Sequence, residues 1–154
     1  MADQVTARLQ GAKATIDKML GLAPKLKRSA LRKAARQAMN IVRDDARARA
    51  RALDDPDTAE RIFRNIVTQE AGRQGRREGG VVMRVGVRGG ASSNQYSKDA
   101  SSNPGGDTRH WRYLEFGTQY TPPAPFMRPA LSSNVTAVTD RFIQVLSREI
   151  DAAL

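Results

Sequence analysis

Hydrophobic side chains in the first third of the chain recur at the spacing of one helix face. In residues 5–22 they fall three or four positions apart, and Gly21 and Pro24 then interrupt the pattern. Residues 25–53 contain no Gly or Pro and are rich in Ala, Arg and Leu, which are strong helix formers. The pattern therefore predicts a short helix followed by a long one that ends before Pro56.

The long predicted helix carries two kinds of residue on neighbouring arcs. Its apolar arc comprises Leu31, Ala35, Ala38, Met39, Val42, Ala46 and Leu53. Arginines occupy the adjoining arc, which we call the basic face: Arg28, Arg32, Arg36, Arg43, Arg47 and Arg51. This segregation predicts one buried stripe. The basic face has two interpretations that the sequence leaves open: a solvated helix surface, or a surface for DNA or an acidic neighbouring protein.

The middle of the chain changes from helical spacing to alternation. The spacing of Asp57 and Glu60 is that of a capping box and predicts a short helical turn, which passes into a strand near residues 66–70. Residues 72–80 are rich in Gly and Arg and are predicted to form a loop. Apolar and polar positions alternate in residues 81–88, so we predict a half-buried strand there and a hairpin around the loop.

Residues 89–107 form the most polar stretch of the chain. They are mainly Gly, Ser, Asn and Asp, with almost nothing apolar. Such a composition cannot bury a core of its own, and structureless stretches of this length inside compact domains are uncommon. We therefore predict a mobile loop at residues 89–107.

Aromatic side chains and prolines concentrate after this stretch. The aromatics lie between Arg109 and Thr118, and prolines follow between Thr121 and Pro125. Because proline restricts both its own backbone and that of the preceding residue, this connector is expected to be stiff and extended. A final helix is predicted to begin near Pro129. Runs of helices and strands predict an α+β fold in which a small antiparallel sheet packs against a long N-terminal-half helix and a long C-terminal helix.

Length and composition limit the class of protein. A chain of 154 residues predicts a single domain over residues 1–154. The absence of Cys excludes disulfides and thiolate metal sites. No apolar stretch approaches the roughly 20 residues of a membrane helix, and the first residues lack the pattern of a signal peptide, so a soluble protein made in the cytoplasm, with no membrane partner, is expected. The 26 Lys and Arg exceed the 16 Asp and Glu, a formal charge of +10. Such a charge would attract phosphate backbones, acidic membranes or an acidic protein partner, and charge alone does not choose among these three.

The sequence offers little for catalysis or metal binding. His110 is the single histidine, and with Arg112 and Glu115 it is the basis for one alternative, a small basic ribonuclease or toxin. No partner cluster completes that arrangement. Metal ligands would be scattered carboxylates, and the glycines lack the Lys-Ser/Thr ending of a phosphate loop. We expect no catalytic residue, no metal and no cofactor, and a protein that is not an enzyme.

Two stretches resemble the signatures of one phage protein family. The first runs Tyr113-Leu114-Glu115-Phe116-Gly117-Thr118 and resembles the Val/Leu-Glu-Phe-Gly-Thr signature of a phage tail-component family, whose members are also called neck or tail-completion proteins. The second runs Pro123-Ala124-Pro125-Phe126-Met127-Arg128-Pro129-Ala130-Leu131 and resembles Pro-x-x-Phe-Leu/Met-x-Pro-Ala, which opens the C-terminal helix of that family. The order and separation of the two stretches also match.

Physical roles for the motif residues follow from their chemistry. Gly117 is expected to permit a backbone conformation or a close approach that a side chain would block. The aromatic rings of Tyr113, Phe116 and Phe126 are expected to anchor the turn onto the sheet and the final helix. Glu115 is expected to pair with an arginine of the second motif, Arg128, within or between subunits.

The resemblance implies a structural virion subunit at the head–tail junction of long-tailed double-stranded DNA phages. Such a subunit would assemble in the bacterial host cytoplasm and form a ring with the symmetry of the tail, hence six copies, in contact with head-closure and tail-terminator or tail-tube proteins. The motifs place these residues at a subunit or partner interface: Tyr113, Glu115, Phe116, Gly117, Thr118, Phe126, Arg128 and Pro129. A non-specific DNA-binding protein is the alternative, and contact between phage DNA and the basic face stays open.

Overall fold

The computed structural model describes residues 12–89 and 101–154. Residues 12–20 form helix α1, and the elements that follow are α2 (Pro24–Arg51), α3 (Ile62–Asn65), β1 (Ile66–Glu70), α4 (Gly72–Glu78), β2 (Met83–Val87), α5 (Trp111–Phe116), α6 (Met127–Ser132) and α7 (Val135–Ala153). They divide into two compact units. The first contains the described residues up to Ala38, with Glu70–Met83 and Thr136–Leu154, and the second contains the described residues of Met39–Gln69 and Arg84–Val135.

Strands β1 and β2 form an antiparallel two-stranded sheet. The N–H of Ala71 donates to the carbonyl of Val82 at 2.8 Å, and the N–H of Arg88 donates to the carbonyl of Asn65 at 2.7 Å. The two bonds are six residues apart on both strands, so no bulge interrupts the ladder. The predicted fold class, a small antiparallel sheet with long helices, is confirmed.

The core of the first unit forms where α2 meets α7. Ala30 and Ala34 of α2 are buried, together with Leu22 before it and Val145, Leu146 and Ile150 of α7. Small alanines let helices approach closely, which suits ridges spaced four residues apart. Two ion pairs, Lys18–Asp151 and Lys33–Glu149, both at 2.8 Å, lie at the surface of this unit.

The buried stripe of α2 differs in detail from the predicted apolar arc. The larger predicted residues Leu31, Met39 and Leu53 are only partly buried. The fully buried positions recur instead at every fourth residue and are nearly all alanine: Ala30, Ala34, Ala38, Val42, Ala46 and Ala50. Neighbouring backbone therefore comes close to the axis of α2, and the bulkier side chains lie at the edges of the stripe.

Residues 72–78 form helix α4 where a loop was predicted, so that prediction is wrong. The glycines that suggested a loop have specific places in the helix and its end. A Cβ on Gly75 would lie 2.7 Å from the carbonyl oxygen of Gly80, so the helix needs glycine there. Gly79 has φ +70° and ends the helix, and the N–H of Gly80 donates to the carbonyl of Gly75 at 2.9 Å.

Helix α3 begins later than the capping-box spacing predicted. Its first turn is held by Asp54, whose carboxylate accepts from the N–H of Ile62 at 2.8 Å and from that of Phe63 at 3.4 Å. Asp57 instead donates its N–H to the side chain of Asp55 at 2.9 Å. A carboxylate eight residues upstream thus supplies the cap, which local spacing does not reveal.

The predicted final helix is two helices, α6 and α7. Between them, Ser133 donates its N–H to the carbonyl of Pro129 at 3.0 Å. The side chain of Asn134 donates to the carbonyl of Ala130 at 2.8 Å and to Asp45 at 2.7 Å. These side-chain bonds favour a turn over a continued helix, since Asn competes with the helical backbone for partners.

The end of the polar stretch packs onto both ends of α3, at Arg61 and Asn65. Asn65 is fully buried; its amide donates to Thr108 at 2.7 Å and to the carbonyl of Gly106 at 2.9 Å, and its oxygen accepts from the N–H of Gly105 at 2.8 Å. A Cβ on Gly105 would meet the carbonyl oxygen of Arg61. Of the predicted mobile loop at residues 89–107, residues 90–100 lie outside the described part of the chain.

None of the helices in residues 12–89 and 101–154 has the length and hydropathy that a bilayer-spanning helix requires.

Candidate interaction surface

Glu115 organises the motif region from inside the second unit. Helix α5 places its side chain, which is 1% exposed, against the start of α6. One carboxylate oxygen, Oε2, accepts from the N–H groups of Phe126 and Met127 at 2.7 and 2.9 Å. The other, Oε1, accepts from the N–H and the Nε of Arg128, both at 3.0 Å. A single carboxylate therefore satisfies three successive backbone donors and caps α6.

The protonation of Glu115 follows from these contacts. Burial raises the pKa of its carboxyl, but hydrogen bonds from the backbone of Met127, Arg128 and Phe126 and from the Arg128 side chain outweigh burial, and the pKa is lowered. The carboxylate is therefore ionised at neutral pH. Both of its oxygens accept hydrogen bonds from the protein's own backbone, and one also accepts from the Arg128 side chain.

Arg128 links this buried carboxylate to the surface. The expected pair with Glu115 forms within one chain, and Nη2 of Arg128 also donates to the carbonyl of Glu115 at 2.6 Å. The Arg128 side chain is nevertheless 58% exposed. Its guanidinium lies 4.9 Å from the centre of the Phe116 ring, within the range of a cation–π contact.

Gly117 ends α5 and reverses the chain. Its φ of +74° lies in the left-handed region, and a Cβ there would come within 2.9 Å of both the nitrogen of Pro123 and the carbonyl oxygen of Thr121. Both expected reasons for a glycine thus apply. Thr118 holds the turn: its hydroxyl oxygen accepts from the N–H groups of Tyr120 and Thr121 at 3.2 and 3.1 Å.

The aromatic residues divide between inside and outside. Phe126 is fully buried and contacts Trp111 edge to face, with ring centres 6.3 Å apart. Tyr113, Phe116 and Tyr120 are 57%, 60% and 86% exposed. The sequence predicted Tyr113 and Phe116 as anchors of the turn, but their exposure shows that they are not buried anchors. We call the exposed rings of Tyr113, Phe116 and Tyr120 the aromatic surface.

The eight motif residues expected at an interface occupy different environments. Tyr113, Phe116, Thr118 and Arg128 are exposed, whereas Gly117 and Pro129 are partly buried. The remaining two, Glu115 and Phe126, are buried. These two can affect an interface only by holding the exposed residues in place.

The basic face is largely engaged within the chain. In the first unit, Arg32 forms a two-pronged pair with Glu70, with Nε–Oε2 at 2.6 Å and Nη2–Oε1 at 3.0 Å. Its hydrogen bond lowers the pKa of the Glu70 carboxyl. The other two arginines of this unit's face, Arg28 and Arg36, are exposed.

The basic face continues in the second unit with three arginines that all have partners. Arg47 donates twice to the carbonyl of Ile66, at 2.9 and 2.7 Å, and Arg43 bonds to Asp44 and Asn40. The guanidinium of Arg51 lies 4.5 Å from the centre of the Phe63 ring. Four of the six arginines thus support the fold.

His110 lies at the surface, beside a shallow pocket of about 330 Å³ whose lining includes Asp54 and Leu114. Asp54 already caps α3, and the Glu115 carboxylate is occupied by the start of α6. Within residues 12–89 and 101–154, no group of three or more His, Cys, Asp or Glu side chains could hold a metal ion. The motif region as a whole is a scaffold held by the Glu115 carboxylate, with aromatic rings on its outside. Such a surface is suited to contact with other proteins.

One known protein family matches most of the chain. Residues 12–117 match the HK97-gp10-like family, described as "Bacteriophage HK97-gp10, putative tail-component", and the chain belongs to this family. The match ends at the glycine of the first motif and does not extend to the second. Neither a curated protein nor a solved structure matches the chain.

Proposed function

We propose that the chain is a non-enzymatic structural subunit of the phage head–tail junction, a neck or tail-completion protein whose copies form a ring. The aromatic surface carries this proposal. Membership of a phage tail-component family supports a place in the virion. In the proposed role the ring has six copies and contacts head-closure proteins on one side and tail-terminator or tail-tube proteins on the other.

The aromatic surface has the chemistry of a protein interface. Tyr113, Phe116 and Tyr120 present large rings to solvent, and Arg128 lies over one of them. Tyr, Phe and Arg are enriched at interfaces, where rigid rings bury much area at little entropic cost. Tyr113 and Phe116 lie three residues apart on one face of α5, and neighbouring exposed apolar side chains of this kind support a protein-binding role.

The scaffold under the rings favours a preformed contact. The buried carboxylate of Glu115 fixes the start of α6, and Gly117 and Thr118 fix the turn between the rings. Because the surface is ordered before binding, association loses less conformational freedom. In a ring, each subunit presents this surface to a different surface of the next copy, as head-to-tail contacts require.

Oligomeric state tests the proposal. We expect the purified protein to show a ring-sized species in light scattering and in negative-stain images. If the ring needs partners, it should form when the protein is added to phage particles assembled without it, and the particles should regain infectivity. Substituting Phe116→Ser and Tyr120→Ser together should abolish both the ring and the restored infectivity, while the circular dichroism spectrum is retained.

A matched control is available in the other unit. Leu20 is 66% exposed, so Leu20→Ser removes a comparable exposed apolar side chain outside the aromatic surface and should leave the ring intact. A protein that stays monomeric and also fails to restore infectivity would refute the proposed role. Equal damage from Leu20→Ser would show that the aromatic surface is not the interface.

A second candidate function, non-specific DNA binding, has one observation in its favour. The described residues of the first unit hold 13 Lys and Arg against 6 Asp and Glu, a formal charge of +7, while those of the second unit hold 11 against 8, or +3. A gel-shift titration of duplex DNA tests it. DNA binding should weaken steeply with added salt because phosphate contacts release counterions, and no shift at low salt would eliminate this candidate.

A further inference from the structure

A groove in the first unit combines an apolar lining with positive charge. It lies between the first turns of α2 and the end of α4 and has a volume of about 320 Å³. Pro24, Leu31 and Val81 supply apolar surface, and the cations Lys27, Arg28 and Arg76 line it as well. We call it the α2–α4 groove. Its volume is at the lower end of the range for ligand sites and is enough for one or two side chains.

The cations of this groove have no ion-pair partner in the described part of the chain, where no carboxylate lines the groove. Within residues 12–89 and 101–154, the side chains of Lys27, Arg28 and Arg76 form no ion pair or hydrogen bond. Arg32, one turn from Arg28, bonds to both carboxylate oxygens of Glu70, so Glu70 acts on Arg28 only through its charge and not through a direct ion pair. Such a cluster attracts an anionic partner.

Glycines build the wall of the groove. The close approach at Gly75 brings the end of α4 against the carbonyl of Gly80, and Gly79 makes the left-handed turn between them. A Cβ on Gly80 would meet no atom within 4 Å. The wall is therefore bare backbone with open space in front of it, which leaves room for an incoming chain.

We propose that the α2–α4 groove binds an acidic peptide segment of a neighbouring protein. An apolar side chain of the segment packs on Leu31 and Val81, and its carboxylates meet Lys27, Arg28 and Arg76. The apolar lining favours a peptide over nucleic acid, since a duplex presents phosphates and sugars and has no group to fill it. This site lies in the other unit from the aromatic surface, so the inference goes beyond the proposed ring contact.

Fluorescence anisotropy with the full chain tests this proposal. The probe is a dye-labelled synthetic peptide of glutamates with one central leucine. Arg28→Glu and Arg76→Glu should each weaken binding by about tenfold or more, because they reverse a charge at the site. Gly80→Leu should also block the peptide by filling open space. Replacing the peptide's leucine with serine should weaken binding by roughly tenfold through the lost apolar contact.

The control variant is Arg84→Glu. Arg84 is exposed and outside the groove, so the net charge changes equally and binding should change less than about twofold. Three outcomes would overturn the proposal: no binding to the unaltered chain, equal binding of the serine peptide, or equal weakening by Arg84→Glu. Tighter binding of duplex DNA with the same sensitivity to Arg28 and Arg76 would also overturn it in favour of a nucleic-acid site.

The result is separable from the ring proposal. Light scattering of Arg76→Glu should show the same assembly as the unaltered chain, while Phe116→Ser with Tyr120→Ser should bind the peptide normally. Each proposal can therefore fail without the other.

Discussion

Removing the carboxylate of Glu115 should destabilise the region that contains both motifs. In Glu115→Ala, the N–H groups of Phe126, Met127 and Arg128 lose their acceptor, and the guanidinium of Arg128 loses its charged partner. The substitution also leaves a cavity at a position that is 1% exposed. Both effects act on the folded state, so the free energy of unfolding must fall.

The magnitude follows from the backbone donors, because the Arg128 side chain is 58% exposed and water can replace its bond. Leaving a buried donor unpaired costs about 1–3 kcal/mol, so the loss of one buried and two part-buried N–H bonds should cost about 3–5 kcal/mol in total. For a chain of this length each kcal/mol lowers Tm by about 2–4 °C, so the expected fall is roughly 6–20 °C. Glu115→Gln keeps the volume and one acceptor oxygen and should cost about half as much, since charge-assisted hydrogen bonds are about twice as strong as neutral ones.

At acidic pH the difference in Tm between the unaltered chain and Glu115→Gln should disappear. The pKa of Glu115 is lowered in the folded state from its ordinary value of 4.5. Its carboxylate therefore contributes stability fully above the ordinary value, and the contribution is lost as pH falls through the lowered pKa. The Tm difference should be largest near neutral pH and should shrink below pH 4.5. Subtracting the two melting curves removes the acid response of other carboxylates, such as Asp107, whose pKa is lowered to about 2.

Differential scanning calorimetry or circular dichroism melting measures these shifts. The matched control is Glu78→Gln, because Glu78 is exposed and, among the described residues, its carboxylate accepts only from the side chain of Gln74, at 2.7 Å. A surface change of this kind should alter stability by less than about 0.5 kcal/mol. Equal melting temperatures for Glu115→Ala and the control, or a Tm difference independent of pH, would show that the carboxylate does not hold α6.

Three further substitutions probe the turn, the buried amide and the core. Gly117→Ala should destabilise more than Gly79→Ala, because both residues have positive φ but only Gly117 has backbone within 2.9 Å; about 1–2 kcal/mol is expected for the φ strain alone, and equal urea midpoints for the two variants would contradict the close approach. Asn65→Ala should cost about 3 kcal/mol by leaving several buried polar groups unpaired, with faster hydrogen exchange at Gly105 as the specific readout. Phe126→Ala should cost about 3–5 kcal/mol as a fully buried ring, and a melting curve like that of the unaltered chain would rule out Phe126 as a core residue.

The helices with long, uninterrupted patterns could be predicted from sequence. Residues 25–53 were predicted as helix and Pro24–Arg51 is observed, because strong helix formers without Gly or Pro leave no competing structure. The half-buried strand was also found, at Met83–Val87. Both motifs lie where the chain turns from α5 into α6, and the Glu115–Arg128 pair forms as expected.

The parts that the sequence does not predict depend on contacts that local residue patterns do not show. The glycine density of residues 72–80 predicts a loop, but it does not show that Gly75 faces the backbone of Gly80. The cap on α3 comes from Asp54, and the acceptor for the three N–H groups at the start of α6 comes from Glu115, each eight or more residues away. The exposure of Phe116 could not be foreseen either, since an aromatic residue in a motif is as compatible with a core as with a surface.

The bonds from Glu115 to three consecutive amides fix a length as well as a position. The backbone N–H groups of Phe126, Met127 and Arg128 must all point at the Glu115 carboxylate. The number of residues between Glu115 and Phe126 is therefore fixed by these bonds. Exposed side chains of the intervening turn, such as Tyr120, do not set that length. A single inserted or deleted residue between Gly117 and Pro125, by contrast, would present the carboxylate with the wrong amides, and we expect the evolution of this segment to proceed by replacement and not by change of length.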